Sequence, residues 1–130
     1  MTTFNFIGPG RFINNEFISY ANEPEILMVT MINNNNTSIM LLSNKLNIYI
    51  YPDNYIFIHH TFSNKELNYS DTWYKIFPID VLNIINNYTI HLVINDFKYP
   101  SGETGTCQFT FEFTNKGIKK IKKILTNVQL

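Results

Sequence analysis

The sequence predicts an α+β fold dominated by antiparallel strands. About seven to nine of them would form a curved sheet, a sandwich or a partly open barrel, with a short mid-chain helix and a C-terminal amphipathic helix packed on the sheet. Three observations carry this prediction. Residues 106–113 set Cys107, Phe109, Phe111 and Phe113 against Thr106, Gln108, Thr110 and Glu112, the period-two alternation of a strand with one dry face. Apolar runs elsewhere are punctuated by turn-forming residues at short intervals. Residues 115–127 divide into an aliphatic and a basic side at helical spacing.

In chain order, Phe12 and Ile13 and then residues 17–20 are short strand candidates. Residues 25–32 and 38–42 are aliphatic and β-branched runs separated by four asparagines at 33–36, whose tolerance of left-handed backbone suits a reversal. Residues 46–51 alternate Leu46, Ile48 and Ile50 against Asn47, Tyr49 and Tyr51. They reach Pro52, Asp53 and Asn54, and resume at 55–60, which reads as a hairpin. Residues 63–72 read as a polar loop, 73–77 and 89–95 as strands, and 96–105, with Pro100, Gly102 and Gly105, as a second loop.

Two helices are predicted. In the first, Pro78 opens the segment, Asp80 suits the positive end of the dipole, and Val81, Ile84, Ile85 and Tyr88 fall at helical spacing; the segment is short and β-branched, and a strand is the alternative. The second covers 115–127, with Thr114 or Asn115 as N-cap. Advancing about 100° per residue places Ile118, Ile121, Ile124, Leu125 and Val128 within an arc of about 120°, opposite all five lysines of the segment. With Gly117 in its first turn, such a helix gains its stability from docking on the sheet.

With 130 residues and 45% apolar side chains, the chain is sized for one domain with a continuous core. Asn, Ile, Lys, Tyr and Phe together supply 66 residues, while Ala and Arg occur once each, a bias that AT-rich coding produces. The opening residues lack a basic then apolar leader, and no apolar run approaches the ~18 residues of a membrane span. The expected location is the cytoplasm, a host's cytoplasm if the source is a phage or virus. Formal net charge is zero, with five lysines and no acid in residues 116–130 and ten acids before them.

The single cysteine, Cys107, excludes an internal disulfide framework, and its place among phenylalanines reads as a buried hydrophobe. His59 and His60 are adjacent on a strand and therefore face opposite ways, so they cannot share a metal. His91 lies on another strand with no acid at ligand spacing. No metal, cofactor or catalytic constellation is predicted. Gly8, Pro9, Gly10 and Arg11 lack the strand-to-helix context of a phosphate loop. The lysine face carries no arginine, which disfavours nucleic acid as a partner.

The order of elements, strands, a short helix-like insert, two strands and a closing C-terminal helix, resembles pleckstrin-homology and GRAM-type barrels over about residues 25–128. The resemblance implies a fold only. At the first hairpin turn, where a lipid-binding member carries basic residues, this chain has asparagines.

Function is expected to be non-enzymatic binding of a protein partner. The surfaces would be an aromatic sheet face containing Tyr49, Tyr51, Tyr55, Trp73 and Tyr74, or the two loops. One version is a phage or mobile-element protein that neutralises or sequesters a host component. The alternative is a small-ligand or nucleotide binder, a sponge or a hydrolase, in which Arg11, His59, His60, His91, Asp96 and Glu103 line a pocket. Exposed tyrosines and a strand edge would equally serve a homo-oligomer.

Overall fold

The structure is a computed structural model that describes residues 2–14, 16–19, 22–64, 69–79, 83–85, 89–99 and 101–127. In chain order the elements are β1 (Thr2–Ile7), β2 (Gly10–Ile13), β3 (Glu16–Ser19), β4 (Ile26–Ile32), β5 (Ser38–Ile50), β6 (Tyr55–Asn64), β7 (Tyr69–Pro78), β8 (Asn83–Ile85), β9 (Thr89–Lys98), β10 (Thr104–Phe113) and α1 (Asn115–Asn127). All strand pairings are antiparallel, as predicted. One curled half-barrel sheet runs β7-β6-β5-β4-β10-β9-β8, and β2 pairs with β3 in a separate two-stranded ribbon.

The 13-residue β5 organises the sheet. The sequence suggested two strands here, 38–42 and 46–51. They form one because Ser43, Asn44 and Lys45 carry the backbone through a bulge instead of a turn. On one side β5 takes two neighbours in succession, β4 beside Met40 and Leu42, then β1 beside Leu46, Ile48 and Ile50. Where β1 leaves, the Gly8 N–H donates to the Asn44 carbonyl at 2.7 Å, and a Cβ on Gly8 would stand 1.7 Å from the Ser43 carbonyl oxygen. Only glycine permits that crossing.

The alternation read in the sequence decides which face is dry. Phe4 and Phe6 of β1, Leu46, Ile48 and Ile50 of β5, Ile56 and Ile58 of β6, Ile90, Leu92 and Ile94 of β9, and Cys107, Phe109 and Phe111 of β10 form the core inside the curl.

α1 closes one end. The Thr114 hydroxyl accepts the Gly117 N–H at 3.2 Å, so Thr114 is the N-cap, and it donates to the Pro24 carbonyl at 2.7 Å. Gly117 is needed because a Cβ there would lie 2.0 Å from the Glu25 carbonyl oxygen. Ile118 and Ile121 are buried, as the apolar arc required; the side chains of Ile124 and Leu125, and Val128, lie outside the described residues. Glu25, only 5% exposed, holds the junction: its carboxylate accepts the Ile7 N–H at 3.1 Å and pairs with the Lys120 ammonium at 2.5 Å.

Three expectations are corrected. The short mid-chain helix is not shown: residues 83–85 are strand β8, paired with β9, which suits β-branched Ile84 and Ile85; Asp80, Val81 and Tyr88 lie outside the described residues. The polar stretch 63–72 is mostly strand, with Asn64 opposite Tyr69 at the end of a β6–β7 hairpin. Of the predicted loop 96–105, Asp96 and Lys98 belong to β9, and Thr104 and Gly105 to β10. In both stretches polar side chains sit on backbone that the neighbouring strand pairs, so composition was a poor guide to ladder formation.

Candidate functional site

Among the described residues, the outward face of β5, β6 and β7 holds a continuous aromatic surface. Backbone register sets Tyr49 opposite Phe57 and Phe57 opposite Ile76, and in the next row Asn47 opposite His59 and His59 opposite Tyr74. Inward residues of these strands fill the core, so the alternate residues are turned outward together. Ring centroids step from Tyr49 to Phe57 at 5.6 Å, from Phe57 to Tyr74 at 6.0 Å and from Tyr74 to His59 at 6.2 Å, a connected ladder across three strands. Tyr74 is 69% exposed, Ile76 57% and Tyr55 46%, far above what an isolated apolar side chain on a sheet needs explaining for, and here they adjoin.

One end of the ladder is polar and held in place: the Thr72 hydroxyl is 3.0 Å from His59 Nε2 and 3.1 Å from the Thr61 hydroxyl, and it donates to the His60 carbonyl at 3.0 Å. The other end is the β5–β6 turn, where Asn54 takes φ of 68° and the Tyr51 N–H donates to the Tyr55 carbonyl at 2.9 Å. Tyr51 is half-buried there.

Of the five aromatics singled out in the sequence, Tyr49, Tyr55 and Tyr74 lie on this face and Tyr51 at its turn, while Trp73 points inward. Trp73 packs on Phe109 at 4.9 Å and on His60 at 5.8 Å between centroids. Adjacent strand residues face opposite ways, as His59 and His60 do, so Trp73 and Tyr74 could not both be outside. Phe57 and Ile76 were missed. Their signal was parity with Tyr55 and His59 in one strand and with Tyr74 in the other.

The residues of the pocket reading are spread over the molecule. His60 is fully buried, with its Nε2 2.7 Å from the Ser43 hydroxyl, inside a cage of Phe62, Trp73 and Phe111. Burial, with a smaller contribution from His59, lowers its pKa to about 3, so it is neutral in the folded protein. A serine beside a histidine invites comparison with a nucleophile and base. Both groups are sealed from solvent, however, and among the described residues Nδ1 of His60 has no acid to orient it.

His59 is outside with the ladder, and His91 is on the outer side of β9, its Nδ1 3.1 Å from the Thr110 hydroxyl. Asp96 pairs with Lys75 across the open side of the curl, from β9 to β7, and the ammonium holds its carboxyl below the usual carboxylate range. Arg11 stands in β2 opposite Ile18. Glu103 lines a cleft of about 300 Å³ with Tyr99, Ser101 and the asparagines of the β4–β5 turn.

Cys107 is buried, and burial pushes its thiol up, away from the thiolate that nucleophilic or ligand chemistry requires. The neighbouring Tyr99 phenol is pushed up to about 12, first by burial and then by Cys107, and it donates to the Thr106 carbonyl at 2.5 Å. Among the described residues no three His, Cys, Asp or Glu side chains are placed to hold a metal ion. Among the described residues no helix is long and apolar enough to cross a membrane. No protein-family model, curated protein or solved structure matches this chain.

Proposed function

We propose that this chain is a non-enzymatic binding module that engages a protein partner through the outer face of β5, β6 and β7. The observation that carries the reading is the connected ladder Tyr49, Phe57 and Tyr74, extended by Ile76 and by the exposed Tyr55. Interface centres are depleted in charge and enriched in tyrosine, phenylalanine and other large apolar side chains, and this face has that composition. The Asn, Ile and Lys bias supports a specific version, a phage or mobile-element protein acting in a host cytoplasm to neutralise or sequester a host component. The likeness in element order to pleckstrin-homology and GRAM-type barrels concerns architecture alone, and the whole chain is read as one domain.

A photo-crosslinking residue tests the reading. Placed at Tyr74 in cells, it should yield one discrete protein adduct, and placed at Val93, exposed on β9 away from the ladder, it should not. Equal labelling at both positions would remove the assignment of this face.

The alternative, a small-ligand site, has one observation in its favour, the cleft beside Glu103 with its amide and hydroxyl groups. A thermal-shift screen against nucleotides and small polar metabolites separates the two. A rise of several degrees with one compound, lost in Glu103→Ala, would favour the cleft.

A further inference from the structure

We propose that the edge of β5 at residues 38–41 is a second docking site. Its occupant would be an extended, uncharged segment of a partner protein that adds a strand to the sheet. On the side facing β4 these residues are paired, Met31 with Ile39 and Thr30 with Met40. On the other side, pairing with β6 begins only at Leu42 with Ser63. Residues 38–41 therefore carry a backbone edge that no described strand pairs on that side. Strand edges in proteins are usually guarded by lysine, proline or a bulge, and this segment has none of the three.

The edge lies in a cleft of about 600 Å³. Five consecutive residues of β5 line it: Ser38, Met40 and Leu42 of one parity and Ile39 and Leu41 of the other. A cavity resting on one face of a sheet touches one parity only, so a cavity touching both runs along the edge, where a further strand would lie. Phe12 of the β2–β3 ribbon forms the opposite wall. The ribbon is tethered there by the Phe12 N–H donating to the Ser63 hydroxyl at 3.3 Å, and Ser63 in turn donates to Asn44 Oδ1 at 3.1 Å.

The chemistry of the occupant follows from the lining. Phe12, Met28, Ile39 and Met40 offer apolar contact, and among the described residues no lining side chain carries a charge. A charged residue entering against these side chains would lose its hydration with none of them to pair it, so the described lining selects a segment uncharged over the four paired positions, about 13 Å of extended chain. Backbone groups of 39–41 would supply affinity, and the apolar walls would choose alternate side chains. Met40, 61% exposed, is the adaptable part of the wall. The site is separate from the aromatic ladder: Met40 and Tyr49 are nine residues apart on β5, roughly 30 Å.

The test is to pan a displayed library of random dodecapeptides on the folded full chain and then titrate the best peptide into isotope-labelled protein. Enriched sequences should share an uncharged, alternating apolar core. Their binding should shift the amide resonances of residues 38–42 and Phe12, and alternate N-methylation of the peptide backbone should weaken it at least about tenfold. Phe12→Ala should weaken it comparably at unchanged melting temperature, and Met40→Lys at the cleft serves as a second variant should Phe12→Ala unfold.

Several results would each overturn the proposal. They are no enrichment, enriched peptides that are charged, N-methylated peptide binding as well as its parent, or shifts confined to Tyr49, Phe57 and Tyr74, the last of which would support the ladder alone. Concentration-dependent shifts of 38–42 without peptide would make the occupant a second copy of this chain and equally overturn it.

Discussion

His60 shows how one side chain can set the pH range of a protein. Its folded pKa of about 3 lies below the ordinary 6.5, so at mildly acidic pH the unfolded chain takes up a proton that the folded chain refuses. The contribution is complete above pH 6.5 and is lost as the pH falls toward 3. Denaturant titrations between pH 6.5 and 4 should therefore show stability declining by up to about 1.4 kcal/mol per pH unit from this group alone. His60→Gln should flatten that decline, and an unchanged slope would mean that another group is responsible. Glu25 is the second decisive side chain, since it satisfies the Ile7 N–H and pairs with Lys120 while 5% exposed. Glu25→Ala should cost roughly 2–3 kcal/mol, read as a lower urea midpoint at unchanged slope.

At the level of elements, α1 is a closing piece and β5 the frame. Deleting the chain from Asn115 onward would expose Phe6 and Phe113, which pack edge to face at 4.9 Å and lie beneath the helix side, and should leave a chain without a cooperative thermal transition. This scale was also where the sequence was most informative. The alternation in β10, the hairpin turn at Pro52, Asp53 and Asn54, and the apolar arc of α1 each stated their element because local pattern and tertiary role agree.

Elsewhere a deciding interaction is distant in sequence: the bulge at Asn44 depends on Gly8 and could not be read locally, whereas the strand at 83–85 pairs with nearby β9 and carries its own signal in β-branched Ile84 and Ile85. For the site, parity would have placed Trp73 inside and added Phe57 and Ile76. Trp73 and Tyr74 are adjacent on β7 and obey the same alternation that separates His59 from His60.

For the molecule as a whole, the ladder and the core are supported by the same strands but carry separable free energies. Tyr74 and Ile76 are mostly in water, so replacing both with alanine should change stability by no more than about 0.5 kcal/mol while abolishing the adduct formed at the β5–β6–β7 face. Here the crosslinking residue would sit at Phe57, and circular dichroism with thermal melting gives the control. A large loss of stability in the double variant would show that the face is structural. The seam between β7 and β9, bridged by Lys75 and Asp96, is exposed enough for salt to screen it, and moderate salt should leave the melting temperature nearly unchanged.

The crossing at Gly8 has a kinetic consequence. β4 to β7 form a meander whose pairings are local, as are those of β8 to β10, whereas β1 must find the second half of β5 across about forty intervening residues and β10 must find β4 across about eighty. The N-terminal strand should therefore acquire protected amides after the β4–β7 meander when the denatured protein is returned to native conditions, and α1, whose Lys120 reaches the Asn5 carbonyl, should settle with it. Pulse-labelling hydrogen exchange would show Phe4 and Phe6 protected later than Ile48 and Ile58. Gly8→Ala should prevent β1 from docking along this path while leaving the β4–β7 meander to form at its own rate.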